Sequence, residues 1–266
     1  MSATAPTSSK ARGGVALAAG AESVEVPGAP PSRTAYVLKK LHSLSGVVPV
    51  GVFFIEHLWT NSKALQGEDA FAQAVNDIQA IPYLPVIEIF GIFIPLAFHS
   101  IYGVFLALAA KPNVVAYRYA RNWLYMLQRI SGIVAFVFIG YHLYEFRIQK
   151  WLFGMRADAF YGALSAHLSS TTASVPWLAV FYLLGILATS FHFANGLSGV
   201  LFSWGVTVTR ESQRRAGYAC AAIGVALFLL GANTVLYFAT GARLYMPSDA
   251  VSKGQAAAGG PSGETK

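Results

Sequence analysis

The residues of this sequence that are best suited to bind a metal or carry out chemistry are four histidines, each in a different long apolar stretch: His57, His99, His142 and His192. Ionisable side chains are costly inside a membrane and usually mark a function there. Facing imidazoles at such depth most often hold a metal ion or a haem iron. Four ligands on four helices therefore predict two irons.

The elements that position these histidines are predicted to be membrane helices. The 266-residue chain is 55% hydrophobic and 12% charged, and its mean hydropathy is +0.50. A crossing needs about 20 apolar residues, and five runs are long enough: residues 43–61, 85–110, 124–146, 175–203 and 216–241. We therefore predict an all-α integral membrane protein whose five-helix bundle encloses two stacked b haems.

Both ends of the chain are predicted to be disordered tails. Residues 1–34 are rich in Ala, Gly, Ser, Thr and Pro and show no helical period. Their apolar part is short for a signal-peptide core and is followed by acidic residues and prolines. Residues 246–266 have the same character, so residues 35–245 are expected to form one membrane-anchor domain.

Positive charges predict how the helices are oriented. Twelve of the 19 Lys and Arg residues lie in the N-terminal tail and the two loops on its side. Cytoplasmic loops are enriched in these residues, so the N-terminus is expected inside and the C-terminus outside. This bias also accounts for the net charge of +7, which we therefore do not interpret as a nucleic-acid signal.

Two short patterns recur in matching order. Residues 41–46 read LHSLSG and residues 127–132 read LQRISG, and a histidine follows each one after ten or eleven residues. The second and fourth apolar runs share FHxxxG, with its glycine at Gly103 and Gly196. A glycine one turn from the histidine leaves room for a flat macrocycle. Close packing of membrane helices through small residues is the alternative.

Depth in the bilayer sorts the histidines into pairs. Counting about 1.5 Å per residue places His57 and His142 in the outer half of the membrane and His99 and His192 in the inner half. Each pair could hold one haem iron, and copper or zinc is less favoured because the two levels are too far apart to converge on one ion. Alternatively, each histidine is a core polar group bonded to a neighbouring helix.

Histidine on both axial positions would leave the iron no open site, which favours electron transfer. The single cysteine, Cys220, rules out an intramolecular disulfide. Because the sequence has no CxxCH motif, any haem is expected to bind without covalent attachment.

Four segments carry a more specific signal: RxxxxLKKLHSLSGVVPVGVFFIEHL, EIFGIFIPLAFHSIYGV, RNWLYMLQRISGI and FHFANGL. They resemble the dihaem cytochrome b subunit of succinate:quinone oxidoreductase, of the five-helix single-anchor type found in menaquinone-using bacteria. The resemblance covers about residues 35–240. It implies that the four histidines are axial ligands, paired as depth predicts.

The resemblance also implies a bacterial cytoplasmic membrane complex with two partners on its cytoplasmic face, a flavoprotein subunit with FAD and an iron–sulfur subunit. Dicarboxylate chemistry would belong to the partners. This chain has neither a dinucleotide fingerprint nor a cysteine cluster. It would pass electrons through the inner and then the outer haem to menaquinone.

Quinone reduction consumes protons, so titratable groups near the outer haem are candidates for quinone or proton binding. They are Glu88, Glu145, Tyr83 and Tyr141. Glu56 is less favoured because its side chain points about 100° away from that of its neighbour His57. The tyrosines could also belong to an interfacial aromatic belt, which is the favoured interpretation for Trp59.

Other residues are candidates for contacts around the haems. Arg129 could pair with an inner propionate or serve only the positive-inside bias. His42 could contact a propionate or lie at the interface, and Ser45 and Ser131 could bind a propionate or bond their own helices. His167, in the loop between the third and fourth apolar runs, is assigned no role.

Three alternatives remain at the level of sequence. The chain could be the dihaem anchor of another quinone-linked dehydrogenase, such as a hydrogenase or formate dehydrogenase. It could be a proton-coupled transporter with a histidine relay, which would be colourless. A haem-free structural anchor would leave the repeated histidines unexplained.

Overall fold

The computed structural model describes residues 32–111, 114–154, 156 and 159–244. Within them the chain is helical, without a β-strand, and has five candidate membrane spans: Arg33–Gln66, Leu84–Leu108, Ala120–Phe153, Trp177–Ser203 and Arg210–Thr240. The predicted five-span helical architecture is confirmed. The predicted tails lie outside the described residues, except for residues 32–34.

The first span consists of two consecutive helices, α1 (Arg33–Val47) and α2 (Pro49–Ser62). The hydroxyl of Ser32 accepts a hydrogen bond from the backbone amide of Ala35 and so caps α1. Pro49 has no amide hydrogen, which places the junction between α1 and α2 at this position.

Two shorter helices lie in the loops on one side of the bundle, α3 (Glu68–Gln79) between the first two spans and α8 (Phe160–Ser169) between the third and fourth. Phe71 of α3 and Leu168 of α8 belong to one buried apolar cluster with residues of the third, fourth and fifth spans. This cluster closes the predicted outer end of the bundle.

The second and third spans each contain a π-helical turn. The second runs through α4 (Leu84–Ile87), the π turn Glu88–Phe93 and α5 (Ile94–Leu108). The third runs through α6 (Ala120–His142), the π turn Leu143–Ile148 and α7 (Gln149–Phe153). Single π turns inside α-helices are frequent at functional sites.

Small residues let the last two helices, α9 (Trp177–Ser203) and α10 (Arg210–Thr240), approach closely. A Cβ atom on Gly224 would lie 2.6 Å from that of Ala194, as expected for helices packed through glycine. α10 begins six residues before the predicted run because Thr209 forms a capping box with its polar first turn.

Large apolar side chains cover the outside of the bundle. Phe105, Val137, Leu184 and Val225 are each more than half exposed, and in a membrane such side chains face lipid. The histidines instead face other helices, so the bundle positions them toward its interior.

Candidate functional site

The structure brings the four histidines together in two pairs, between the partners that depth predicts. The ring centroids of His99 and His192 are 6.1 Å apart, with the rings at 84°. Those of His57 and His142 are 5.6 Å apart, at 74°. Two imidazoles on opposite sides of one metal ion, at bond lengths of about 2 Å, have centres about 6 Å apart. Each pair therefore has a separation that suits one axially ligated iron.

In the described part of the chain, no three His, Cys, Asp or Glu side chains converge so that they could hold a metal ion. Each candidate site therefore offers two protein ligands, the two histidines of a pair. A haem iron needs only two protein ligands because the macrocycle supplies the other four. The donor set therefore fits haem better than a bare metal ion.

His99 and His192, the predicted inner pair, are oriented by the backbone of the repeated hexapeptides. His99 Nδ1 donates to the carbonyl oxygen of His42 at 2.9 Å, and His192 Nδ1 donates to that of Gln128, also at 2.9 Å. His42 and Gln128 are the second residues of the two repeats. Because Nδ1 carries the hydrogen, Nε2 is left as the nitrogen available to a metal.

The glycines that end the two repeats make room for the same imidazoles. A Cβ atom on Gly46 would lie 2.2 Å from His99 Cε1, and one on Gly132 would lie 2.8 Å from His192 Cε1. Both separations are shorter than any normal carbon–carbon contact. Each copy of the repeat thus supplies a carbonyl acceptor and a side-chain-free position to one histidine. The copy in α1 serves the histidine of α5, and the copy in α6 serves the histidine of α9.

The glycines of the FHxxxG pattern have a related position. A Cβ atom on Gly103 would lie 3.0 Å from His42 Cε1, and one on Gly196 would lie 3.2 Å from Gln128 Nε2. Each glycine therefore accommodates the second residue of a repeat. Both also line a cavity of about 230 Å³ beside the inner pair.

Two polar atoms in the wall of this cavity are buried without a hydrogen-bond partner, His42 Nδ1 and Arg129 Nε. The His42 ring stacks on His99 at 4.1 Å. The Arg129 guanidinium lies 3.3 Å from the ring centroid of Tyr125 and donates to the Tyr125 carbonyl. Buried polar groups normally have partners, so the cavity offers unused donors to a ligand with acidic groups.

The two serines of the repeats bond to their own helices. Ser45 Oγ donates to the carbonyl of His42 at 3.0 Å, and Ser131 Oγ donates to that of Gln128 at 3.1 Å. Of the two interpretations that the sequence allowed, the structure has the back-bond. These bonds hold the same carbonyls that orient the inner histidines.

His57 and His142, the predicted outer pair, have side-chain partners instead. The Tyr182 hydroxyl oxygen accepts from His142 Nδ1 at 3.2 Å and donates its own hydrogen to the buried carboxylate of Glu145. The other oxygen of Glu145 accepts from His167 Nδ1 at 2.6 Å. His57 lies 3.4 Å from the side-chain amide of Asn61.

Sequence reasoning missed the position of His167. It lies on α8, 22 residues beyond Glu145, and no short-range pattern links the two. Only the packing of the extra-membrane helix α8 against the bundle brings them together.

The other predicted acidic candidate, Glu88, pairs with Arg147. The two side chains are only 14% and 19% exposed, and they come from the two π turns. The Arg147 guanidinium also lies 4.5 Å from the ring of Trp151. The widened turns therefore meet around one ion pair.

The aromatic candidates lie near the bundle surface. Tyr83 is 82% exposed and has a left-handed backbone, with φ at 57°, whereas Tyr141 packs edge-on against Phe181 at 5.3 Å. Trp59 is exposed, and Lys63 lies over its ring at 4.5 Å. Glu56 accepts from Thr60 at 2.5 Å on its own helix.

Comparison with known proteins identifies the family of this chain. Residues 109–231 match the family described as succinate dehydrogenase/fumarate reductase transmembrane subunit. The chain is 41% identical over 203 residues to the succinate dehydrogenase cytochrome b558 subunit of Bacillus subtilis (strain 168), covering 76% of this chain and 96% of that protein. The resemblance seen in the sequence is confirmed: the chain belongs to the succinate dehydrogenase/fumarate reductase transmembrane subunit family, as a membrane cytochrome b subunit.

Proposed function

We propose that this chain is the dihaem anchor of a succinate:quinone oxidoreductase in a bacterial cytoplasmic membrane. His99 and His192 would bind the inner haem, and His57 and His142 the outer one. Bound in this way, two b haems supply one-electron carriers between an iron–sulfur partner and menaquinone. The observation that carries the proposal is the pairing of the four histidines, His99 with His192 and His57 with His142.

The surroundings of the inner pair support haem as the ligand. Gly46, Gly103, Gly132 and Gly196 border the inner cavity and leave it free of side-chain volume. His42 and Arg129 each present an unpartnered buried nitrogen in its wall, where they would donate to haem propionates. Axial ligation, packing and these polar contacts would retain the haem without a covalent bond.

Quinone binding is proposed at the outer side of the bundle, around the two π turns. Glu88 and Glu145 occupy these turns and are both fixed by hydrogen bonds. Either carboxylate could hold a proton destined for reduced quinone. Tyr83 and Tyr141 would border the entrance from lipid.

The partners, a flavoprotein with FAD and an iron–sulfur subunit, are proposed to dock on the face where the N-terminus lies. On this face Lys40 donates to the carbonyl of Ser203 at 2.5 Å, and Arg121 donates to Gln213 at 2.9 Å. These bonds connect the ends of the first and fourth and of the third and fifth spans. The face would thus be positively charged and connected by hydrogen bonds between spans. The N-terminus would lie inside and the C-terminus outside.

Purification of the complex from membranes tests this proposal. We expect two b haems for each flavin and each copy of this chain, with low-spin absorbance bands after reduction by succinate. A colourless chain would contradict the proposal and favour a transporter. A haem-containing chain that purifies with another dehydrogenase would also contradict it.

A further inference from the structure

The two histidine pairs differ in what their Nδ1 atoms meet. At the inner pair both acceptors are backbone carbonyls, which do not change charge with pH. At the outer pair His142 meets Tyr182, and Tyr182 is bonded in turn to Glu145. The partner of His142 is therefore connected to groups that can take up a proton.

Two members of this chain of side chains are buried and the third is half exposed. Tyr182 is 4% exposed, the Glu145 side chain is 6% exposed and the His167 side chain is 49% exposed. His167 belongs to α8, outside the membrane spans. A continuous set of hydrogen bonds thus leads from the surface to the interior of the bundle beside His142.

Other ionisable groups surround this set in the described part of the chain. Tyr141, on α6, lies one turn before Glu145 of the following π turn. From α2 come His57, beside His142, and Glu56, which is bonded to Thr60. Two further groups, Glu88 from the second span and Arg147 from the third, are bonded to each other. Glu145 is the acidic group bonded to both the surface histidine and the tyrosine.

We propose that the Glu145–His167 pair is a redox-linked proton-uptake site on the outer side of the bundle. The pair takes one proton from the outer water when the centre held by His142 gains one electron, which succinate oxidation provides. His167 takes a proton from water at Nε2 and releases the proton on Nδ1 to Glu145, so the imidazole changes tautomer and stays neutral. Tyr182 keeps its own proton and transmits the change in charge to His142. This inference rests on the proposed haem ligation.

The test is the reduction potential of each haem in the purified complex as a function of pH near neutrality. Full coupling of one proton to one electron shifts the potential by about 59 mV for each tenfold change in proton concentration. We expect the outer haem to approach this slope. In Glu145→Gln, which keeps the size of the side chain, the slope should fall close to zero.

His167→Gln provides a second variant at the surface if Glu145→Gln does not assemble, and it should also flatten the slope. Ser169→Ala, at an exposed position on the same helix, is the control and should leave the slope unchanged. An outer-haem slope that is the same in both variants as in the unaltered protein would overturn the proton-uptake proposal. Failure to find two haems would overturn the proposed function instead, so the two results are distinguishable.

Discussion

Replacing Gly46 by valine is expected to remove the inner haem while both of its histidines remain in the sequence. The first added carbon would lie 2.2 Å from His99 Cε1, and the ring cannot withdraw without losing its bond to the carbonyl of His42. Haem content should fall from two to one for each flavin. Quinone reduction by succinate should be lost, and reduction of a soluble dye by the flavoprotein should persist.

Gly132→Val should have the same effect through His192, because the two repeats are structurally equivalent. Gly199→Val is the matched control, since a Cβ atom at this position on α9 meets nothing within 4 Å. Retention of both haems in Gly46→Val and Gly132→Val would show that the repeat glycines do not set the position of the inner ligands.

The second large effect is expected at the ion pair between the π turns. Arg147→Met leaves the carboxylate of Glu88, 14% exposed, without the guanidinium to which it is bonded. Breaking a buried ion pair by removing one partner costs about 3–5 kcal/mol. We expect the temperature at which the purified complex loses its visible absorbance to drop markedly.

Replacing both partners separates the loss of pairing from the loss of packing. The double variant Glu88→Leu, Arg147→Met buries no unpaired charge and should recover most of the lost thermal stability. Glu88→Gln is the milder control because its amide oxygen can still accept from Arg147. If Arg147→Met is as stable as the double variant, the pair contributes little to holding the second and third spans together.

Much of the fold could be predicted from the sequence because the membrane imposes it. Five apolar runs were sufficient to predict five spans, since a backbone in lipid must bond to itself within a helix. The ends were less predictable. α10 begins at Arg210 because a capping box and ion pairs from Arg214 and Arg215 to Glu211 sustain a polar first turn, which hydropathy does not detect.

In the site, too, features that depend on local sequence could be predicted and features that depend on tertiary packing could not. The pairing of histidines followed from counting residues along straight helices, a local property. The repeat was visible, but its role was not, because Gly46 contacts a histidine on a different helix. The hydrogen bond between Glu145 and His167 depends on where α8 packs against the bundle. The ion pair between Glu88 and Arg147 depends on two π turns. Neither feature has a periodic signature.

Redox titration of the visible absorbance in single and double histidine variants tests whether each histidine pair holds one iron. His57→Ala and His142→Ala should each remove the same haem, and the double variant should remove no more. His99→Ala and His192→Ala should each remove the other haem. Loss of different haems within a pair, or full retention of both haems in any of the four single variants, would show that the pairs do not each hold one iron.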